Sequence, residues 1–144
     1  MAKVYSTFLD ETAQGNIIWK ATGGATIKAQ LTNSSYTQNQ ETHTVRSDIT
    51  ADKTSGTTDQ TLTLTDPATD TTNDRVELDA ADITFSSVTS GNTVESVILY
   101  KEVSGVGSDI LIAWLDFSAG TIASNGGDIT VAFNAEGCVA LGYA

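Results

Sequence analysis

The sequence predicts an all-β protein, an antiparallel β-sandwich or barrel forming one domain over residues 1–144. Three observations lead there. Apolar residues recur at every second position in segment after segment, turning one side of a strand to a core and the other to water. Turn residues interrupt these segments at short intervals, as Gly23-Gly24, Ser55-Gly56, Ser90-Gly91-Asn92 and Asn125-Gly126-Gly127. Ser and Thr together make 36 of the 144 residues against a single proline, Pro67. Threonine is β-branched and favours strands. Many short strands without helical stretches between them pair antiparallel and pack face to face.

Residues 1–15 read as a short N-terminal helix or an extended arm. As a helix, Ser6 or Thr7 caps it, Asp10 and Glu11 favour its positive end, and Gly15 closes it in the left-handed conformation. Val4, Phe8 and Ala13 then share one face. The period changes to two after Gly15. Strands are expected at Asn16–Ala21, Ala25–Thr32, His43–Ile49, Thr61–Thr65, Arg75–Asp79, around Ile83 and Phe85, and at Val94–Glu102, Ile110–Phe117, Asp128–Asn134 and Cys138–Leu141. In the clearest, Ile27, Ala29 and Leu31 alternate with Lys28, Gln30 and Thr32. Residues 50–74 are rich in Thr, Ser, Asp and Gly around Leu62 and Leu64, and read as a long surface loop.

Ile110–Phe117 breaks the alternation. Leu111, Ala113, Leu115 and Phe117 fall on one face and Ile110, Ile112 and Trp114 on the other, both apolar. One reading is a central strand covered on both faces, with the N-terminal helix over one of them. The other is that Ile112 and Trp114 meet a partner chain.

Charge narrows the function classes. Against 7 Lys+Arg stand 18 Asp+Glu, a formal net charge of −11. Binding nucleic acid replaces condensed counterions with Lys and Arg, so no nucleic-acid partner is expected. Nor is an anionic membrane surface. The longest strongly apolar run, Ile110–Leu115, falls far short of the roughly 20 residues that span a bilayer. With no signal-peptide-like opening and Cys138 as the lone cysteine, a reducing cytoplasm is the expected place of synthesis.

No residue pattern points to an enzyme. His43 is the only histidine, and it comes with no Gly-x-Ser-x-Gly elbow; an imidazole that anchors a loop is the expected role. Asp66, Asp70 and Asp74 recur every four residues, followed by Asp79 and Asp82. Calcium loops supply oxygens at alternate positions around a glycine, so this spacing reads as a solvated acidic face. Gly23-Gly24 and Gly126-Gly127 lack the Lys-Ser/Thr ending of a phosphate loop. Cys138 lies among Val139, Ala140 and Leu141, as a buried inert thiol does. Trp19 and Trp114 can each stack on a sugar ring, although tryptophans in strands more often serve a core or an interface. No cofactor and no metal are expected.

A set of phrases across nearly the whole chain resembles a family of small virion structural proteins of tailed bacteriophages. They are Gly15-Asn16-Ile17; Ile27-Lys28-Ala29-Gln30-Leu31; Tyr36-Thr37 with His43; Ser47-Asp48-Ile49; Leu78-Asp79-Ala80-Ala81-Asp82-Ile83-Thr84-Phe85; Val97-Ile98-Leu99-Tyr100-Lys101; Leu111-Ile112-Ala113-Trp114-Leu115-Asp116-Phe117; Gly126-Gly127-Asp128-Ile129-Thr130-Val131; and Asn134-Ala135-Glu136-Gly137. The chain departs from the family's pattern at Lys53–Thr57 and at Asp109. The resemblance implies a jelly-roll or Greek-key sandwich without catalytic residues. It implies a capsid cement, or decoration, protein on the outer surface of the virion, made in the host bacterial cytoplasm. The major capsid protein is then the partner, and a homo-oligomer, dimer or trimer, the expected assembly. Ile112, Trp114 and Trp19 become the candidate interface residues. A second reading keeps the virion and makes the chain a tail-tip or fibre domain that binds host glycan through Trp19 or Trp114.

Overall fold

A computed structural model of the protein describes residues 2–117, 120–134 and 136–142. Ala135, within one of the phrases above, lies outside them, as do residues 1, 118, 119, 143 and 144. The described chain is mostly β-strand, paired antiparallel, with two short helices.

The largest sheet runs β1 (Lys3–Val4), β8 (Ile110–Asp116), β7 (Thr93–Lys101), β2 (Ile27–Asn33) and β3 (Gln60–Thr61), with β9 (Ile122–Ala123) also on β7. The register Ala29↔Leu99 and Leu31↔Val97 puts the apolar side of β2 opposite that of β7. A two-stranded piece pairs β6 (Ile83–Phe85) with β10 (Ile129–Val131). A three-stranded piece runs β11 (Val139–Gly142), β5 (Arg75–Leu78) and β4 (Ala68–Asp70). The main core joins all three, with Leu31, Leu99 and Ala113 from the large sheet against Phe85, Val131, Leu78 and Val139 from the others. Full burial of each large side chain contributes about 1.5–3 kcal/mol.

The large sheet is covered on its second face as well. Ile98, Tyr100 and Leu111 form a separate buried cluster there with Tyr5, Tyr36 and Ile49. Gln30 and Thr32, expected in water, are 2% and 0% exposed. Thr32 Oγ1 meets Ser96 Oγ at 2.5 Å, so its hydroxyl is paired inside the cluster. Gln30 Nε2 has no such partner.

A register shift corrects the expected faces of β8. Tyr100 pairs with Leu111 but Leu99 pairs with Ala113, so Ile112 is an extra residue. Such a bulge reverses the alternation beyond it. Leu111 and Trp114 therefore join the second-face cluster, whereas Ile112 and Ala113 enter the main core.

Three more expectations are corrected. The helix α1 spans Ser6–Ala13, but Tyr5 is its N-cap and no side chain caps it, so Ser6 and Thr7 lie within the first turn. Gly15 does close it, with φ +77°, and Phe8 anchors it in the core while Ala13 is exposed. His43–Ile49 is not a strand: Asp48 Oδ2 accepts the backbone N–H groups of Thr44 and Val45, and a 3-10 helix, Arg46–Asp52, follows. That side chain satisfies the donors a strand ladder needs. Residues 16–21 keep the strand alternation, with Ile17 and Trp19 buried and Ile18 exposed, but form no ladder.

The long-loop reading of residues 50–74 also changes. Within the stretch lie the end of the 3-10 helix, β3 and β4. Thr54, Leu62 and Leu64 are buried. Leu64 bridges to Ala80, and Ala81 N–H donates to the Thr63 carbonyl, so the segment passes from the large sheet to β6 as part of the core wall. From Thr65 through β4 to the β4–β5 turn it is exposed apart from half-buried Asp70.

Candidate functional site

The three candidate interface residues take different places. Ile112 is fully buried in the main core. It has no surface to give a partner, and the bulge that carries it inward is the reason. Trp19 is 6% exposed; its indole N–H donates to the Asp79 carbonyl at 3.1 Å and fixes the ring against β5. Trp114 is half-buried, donates to Ser96 Oγ at 2.7 Å, and has Lys3 Nζ 5.0 Å from its ring centroid. Only Trp114 keeps some exposed ring, and a cation already covers it. A sugar stacks on a bare aromatic face, and little of either ring is left bare: Trp19 is nearly buried, and Lys3 lies over Trp114.

His43, Asp66, Asp70 and Asp82 are engaged in holding loops, whereas Asp79 Oδ1 is buried without a partner among the described residues. His43 Nδ1 lies 3.0 Å from Tyr36 OH, which meets the buried Tyr5 OH at 2.6 Å. Burial raises both tyrosine pKa values above the ordinary phenol range. Asp66 accepts Ala21 N–H, Asp82 accepts Phe133 N–H, and Asp70 accepts the N–H groups of Thr72 and Asn73. These carboxylates point to separate turns, and no three His, Cys, Asp or Glu among the described residues are grouped to hold a metal ion. The Cys138 thiol is buried and donates to the Leu78 carbonyl at 3.2 Å. Burial pushes its pKa up to about 12, far from a nucleophile's range.

The Gly23-Gly24 turn is tighter than a flexible link. Gly23 has φ +73°, and a Cβ on Gly24 would sit 2.5 Å from the Lys20 carbonyl oxygen. That close approach lets Ala25 N–H donate to the Ile18 carbonyl and brings the residue 16–21 segment back beside the start of β2.

This return builds a surface. Thr26, just before β2, accepts Glu102 N–H, and Lys101 Nζ donates to the Asn16 carbonyl. The segment carrying Ile18 and the β7–β8 loop, residues 102–109, therefore sit at one end of the molecule. Ile18, Val103 and Val106 are 53%, 49% and 40% exposed there. With Leu9 on α1 they are the large hydrophobics exposed among the described residues. Single exposed apolar residues are ordinary, but a concentration at one pole marks a contact surface.

The loop that presents the two valines is rigidly held. Asp109 is 2% exposed, and its Oδ1 accepts Val103 N–H at 2.9 Å and Gly105 N–H at 3.3 Å. Its Oδ2 lies 3.4 Å from Arg46 Nε. The backbone N–H groups of Arg46 and Ser47 donate to the Asp109 and Val106 carbonyls. Arg46 continues the network to Asp59 at 2.7 Å and stacks over the Tyr100 ring, 4.7 Å from its centroid. Asp59 also takes Lys53 Nζ at 2.6 Å and Tyr100 OH at 2.7 Å. Burial, and then the neighbouring Asp59, raise the Tyr100 pKa. The network joins a buried carboxylate, a stacked guanidinium and a neutral phenol, and it holds loop shape.

Two hollows flank the sheets. One, of about 350 Å³, is lined almost wholly by apolar groups including Phe8, Ile17, Trp19, Val76 and Leu141. The other, of about 520 Å³, runs along β10 past Ala140 to the end of β8. The first offers a sugar few partners: Thr12 is its only side-chain hydroxyl, and Trp19's N–H is already bonded.

No protein-family model, curated protein or solved structure matches the chain.

Arg46, Asp59, Ile18, Val103 and Val106 were not singled out from the sequence, and Asp109 was noted only as a departure from the family's pattern. One signal was present. Val103 and Val106 are apolar within Val103-Ser104-Gly105-Val106-Gly107-Ser108, a turn whose other residues are all Gly or Ser. The Arg46–Asp59–Tyr100 grouping spans 54 residues of sequence and leaves no local trace.

Proposed function

We propose that the chain is a structural protein of a tailed-phage virion, a capsid cement or decoration protein that binds the outside of the shell and joins neighbouring major capsid subunits. In this reading the sheets form an antiparallel sandwich of jelly-roll or Greek-key type. Long connections support that: β2 lies beside β7 and β1 beside β8, far apart in sequence.

The observation that carries the proposal is the apolar pole of Ile18, Val103 and Val106, the two valines standing on a loop pinned by buried Asp109. A preformed loop loses little conformational freedom on docking, so its apolar contact converts more fully to affinity. Modest affinity per site is sufficient on a shell, where many contacts act together. The acidic surface suits a protein outside the capsid, away from the packaged nucleic acid.

Copy number tests the proposal. In a gel of purified virions the chain should approach the major capsid protein in molar amount. A few to tens of copies per particle would place it in the tail and overturn the cement role. Absence from the particle would overturn the virion role altogether.

A further inference from the structure

We propose that β11 is a docking edge for a second copy of the same chain, its strand Val139–Gly142 pairing antiparallel with the partner's across a two-fold axis. This pairing is independent of the virion reading.

An open strand edge exposes unpaired N–H and C=O groups, and proteins guard such edges with brevity, charge or proline. The other outer strands here are guarded: β9 is two residues long, and β6, of three, follows Asp82. β1 is two residues long and carries Lys3; β3 is two residues long and follows Asp59. β4 begins directly after Pro67 and ends on Asp70. β10 has three residues and follows Asp128. β11 differs: four residues, Val-Ala-Leu-Gly, without charge or proline. It pairs with β5 on one side and with no described strand on the other.

The occupant follows from the same residues. A chain of net charge −11 repels its own copies most where carboxylates face one another, and residues 139–142 bring none. The exposed side chain on this edge is Ala140, and Gly142 has none, so two backbones can approach to strand spacing. An antiparallel edge is self-complementary: across the two-fold, Leu141 stands beside the partner's Leu141, and Ala140 beside the partner's Gly142, each pair on one face of the joined sheet. Val139 is already buried, so the pairing exposes nothing on the core side.

Equilibrium sedimentation of the full chain tests the proposal. The wild type should have twice the chain's 15.1 kDa at micromolar concentration. Ala140→Lys places like charges on either side of the axis and should weaken dimerisation at least about tenfold, with its unfolding midpoint measured in parallel. Gly142→Lys is the second variant: its Cβ would stand 3.9 Å from the nearest atom, the Asp74 carbonyl oxygen, so the fold accepts it. Wild type that stays monomeric at about 100 μM overturns the proposal. So does a folded Lys variant that dimerises as wild type does.

Discussion

Removal of the Asp109 carboxylate should unpin the loop that carries Val103 and Val106, and the structure sets the size of the effect. The side chain is 3% exposed and holds two backbone N–H groups, at 2.9 and 3.3 Å. A hydrogen bond to a charged group contributes about 1.5–3 kcal/mol, with the longer bond towards the lower end. Orphaning a buried charged partner costs about 3–5 kcal/mol, but Arg46 retains Asp59 at 2.7 Å, so that cost is only partly incurred. Asp109→Ala should therefore destabilise the fold by about 2–4 kcal/mol, and Asp109→Asn, which keeps an accepting oxygen, by about half as much. Urea titration followed by tryptophan fluorescence gives the free energies, and hydrogen exchange reads the Val103 and Gly105 amides directly. An Asp109→Ala protein within about 0.5 kcal/mol of wild type, with those amides still protected, would refute the reasoning.

Two other expectations concern stability. Trp114→Ala empties part of the second-face cluster and leaves Ser96 without its indole donor. Truncating a fully buried Trp costs about 3–5 kcal/mol, so this half-buried one should cost about 2–3 kcal/mol, measured by the same titration. A cost below about 0.5 kcal/mol would mean that the ring serves the surface alone. Asp70 has its pKa lowered, chiefly by Asn73 and by the backbone N–H groups of Thr72 and Asn73, with Arg75 adding to it. A depressed carboxyl stabilises the fold above its unfolded pKa and loses that contribution as pH falls through the folded value. Between pH 5 and 2 the wild type should lose stability faster than Asp70→Asn; parallel acid titrations would contradict this.

Strand positions were legible in the sequence: β2, β5, β6, β10 and the long β7 all fall where expected, and in β6 and β10 burial follows the period of two. The errors have particular physical causes. Asp48 draws the Thr44 and Val45 amides into a cap, which turns a β-like stretch into a 3-10 helix. Gln30 and Thr32 look solvent-facing by type, yet Tyr36 and Ile49 cover their face from distant sequence. The doubly apolar β8 was recognised, but its bulge was not, so Ile112 was offered as an interface residue although it lies in the core. The pole was illegible for a related reason. It depends on the Gly24 turn and on Asp109 reaching back to the Val103 and Gly105 amides, contacts that no periodicity records.

The measurement closest to the central claim is co-sedimentation of the purified protein with phage shells stripped of it. Wild type should pellet with the shells and saturate near the molar amount of major capsid subunits. The double variant Val103→Asp, Val106→Asp should stay in the supernatant, although its unfolding free energy lies within about 0.5 kcal/mol of wild type, as expected for exposed positions. A double variant that pellets as well as wild type would contradict the claim that this pole is the adhesive surface.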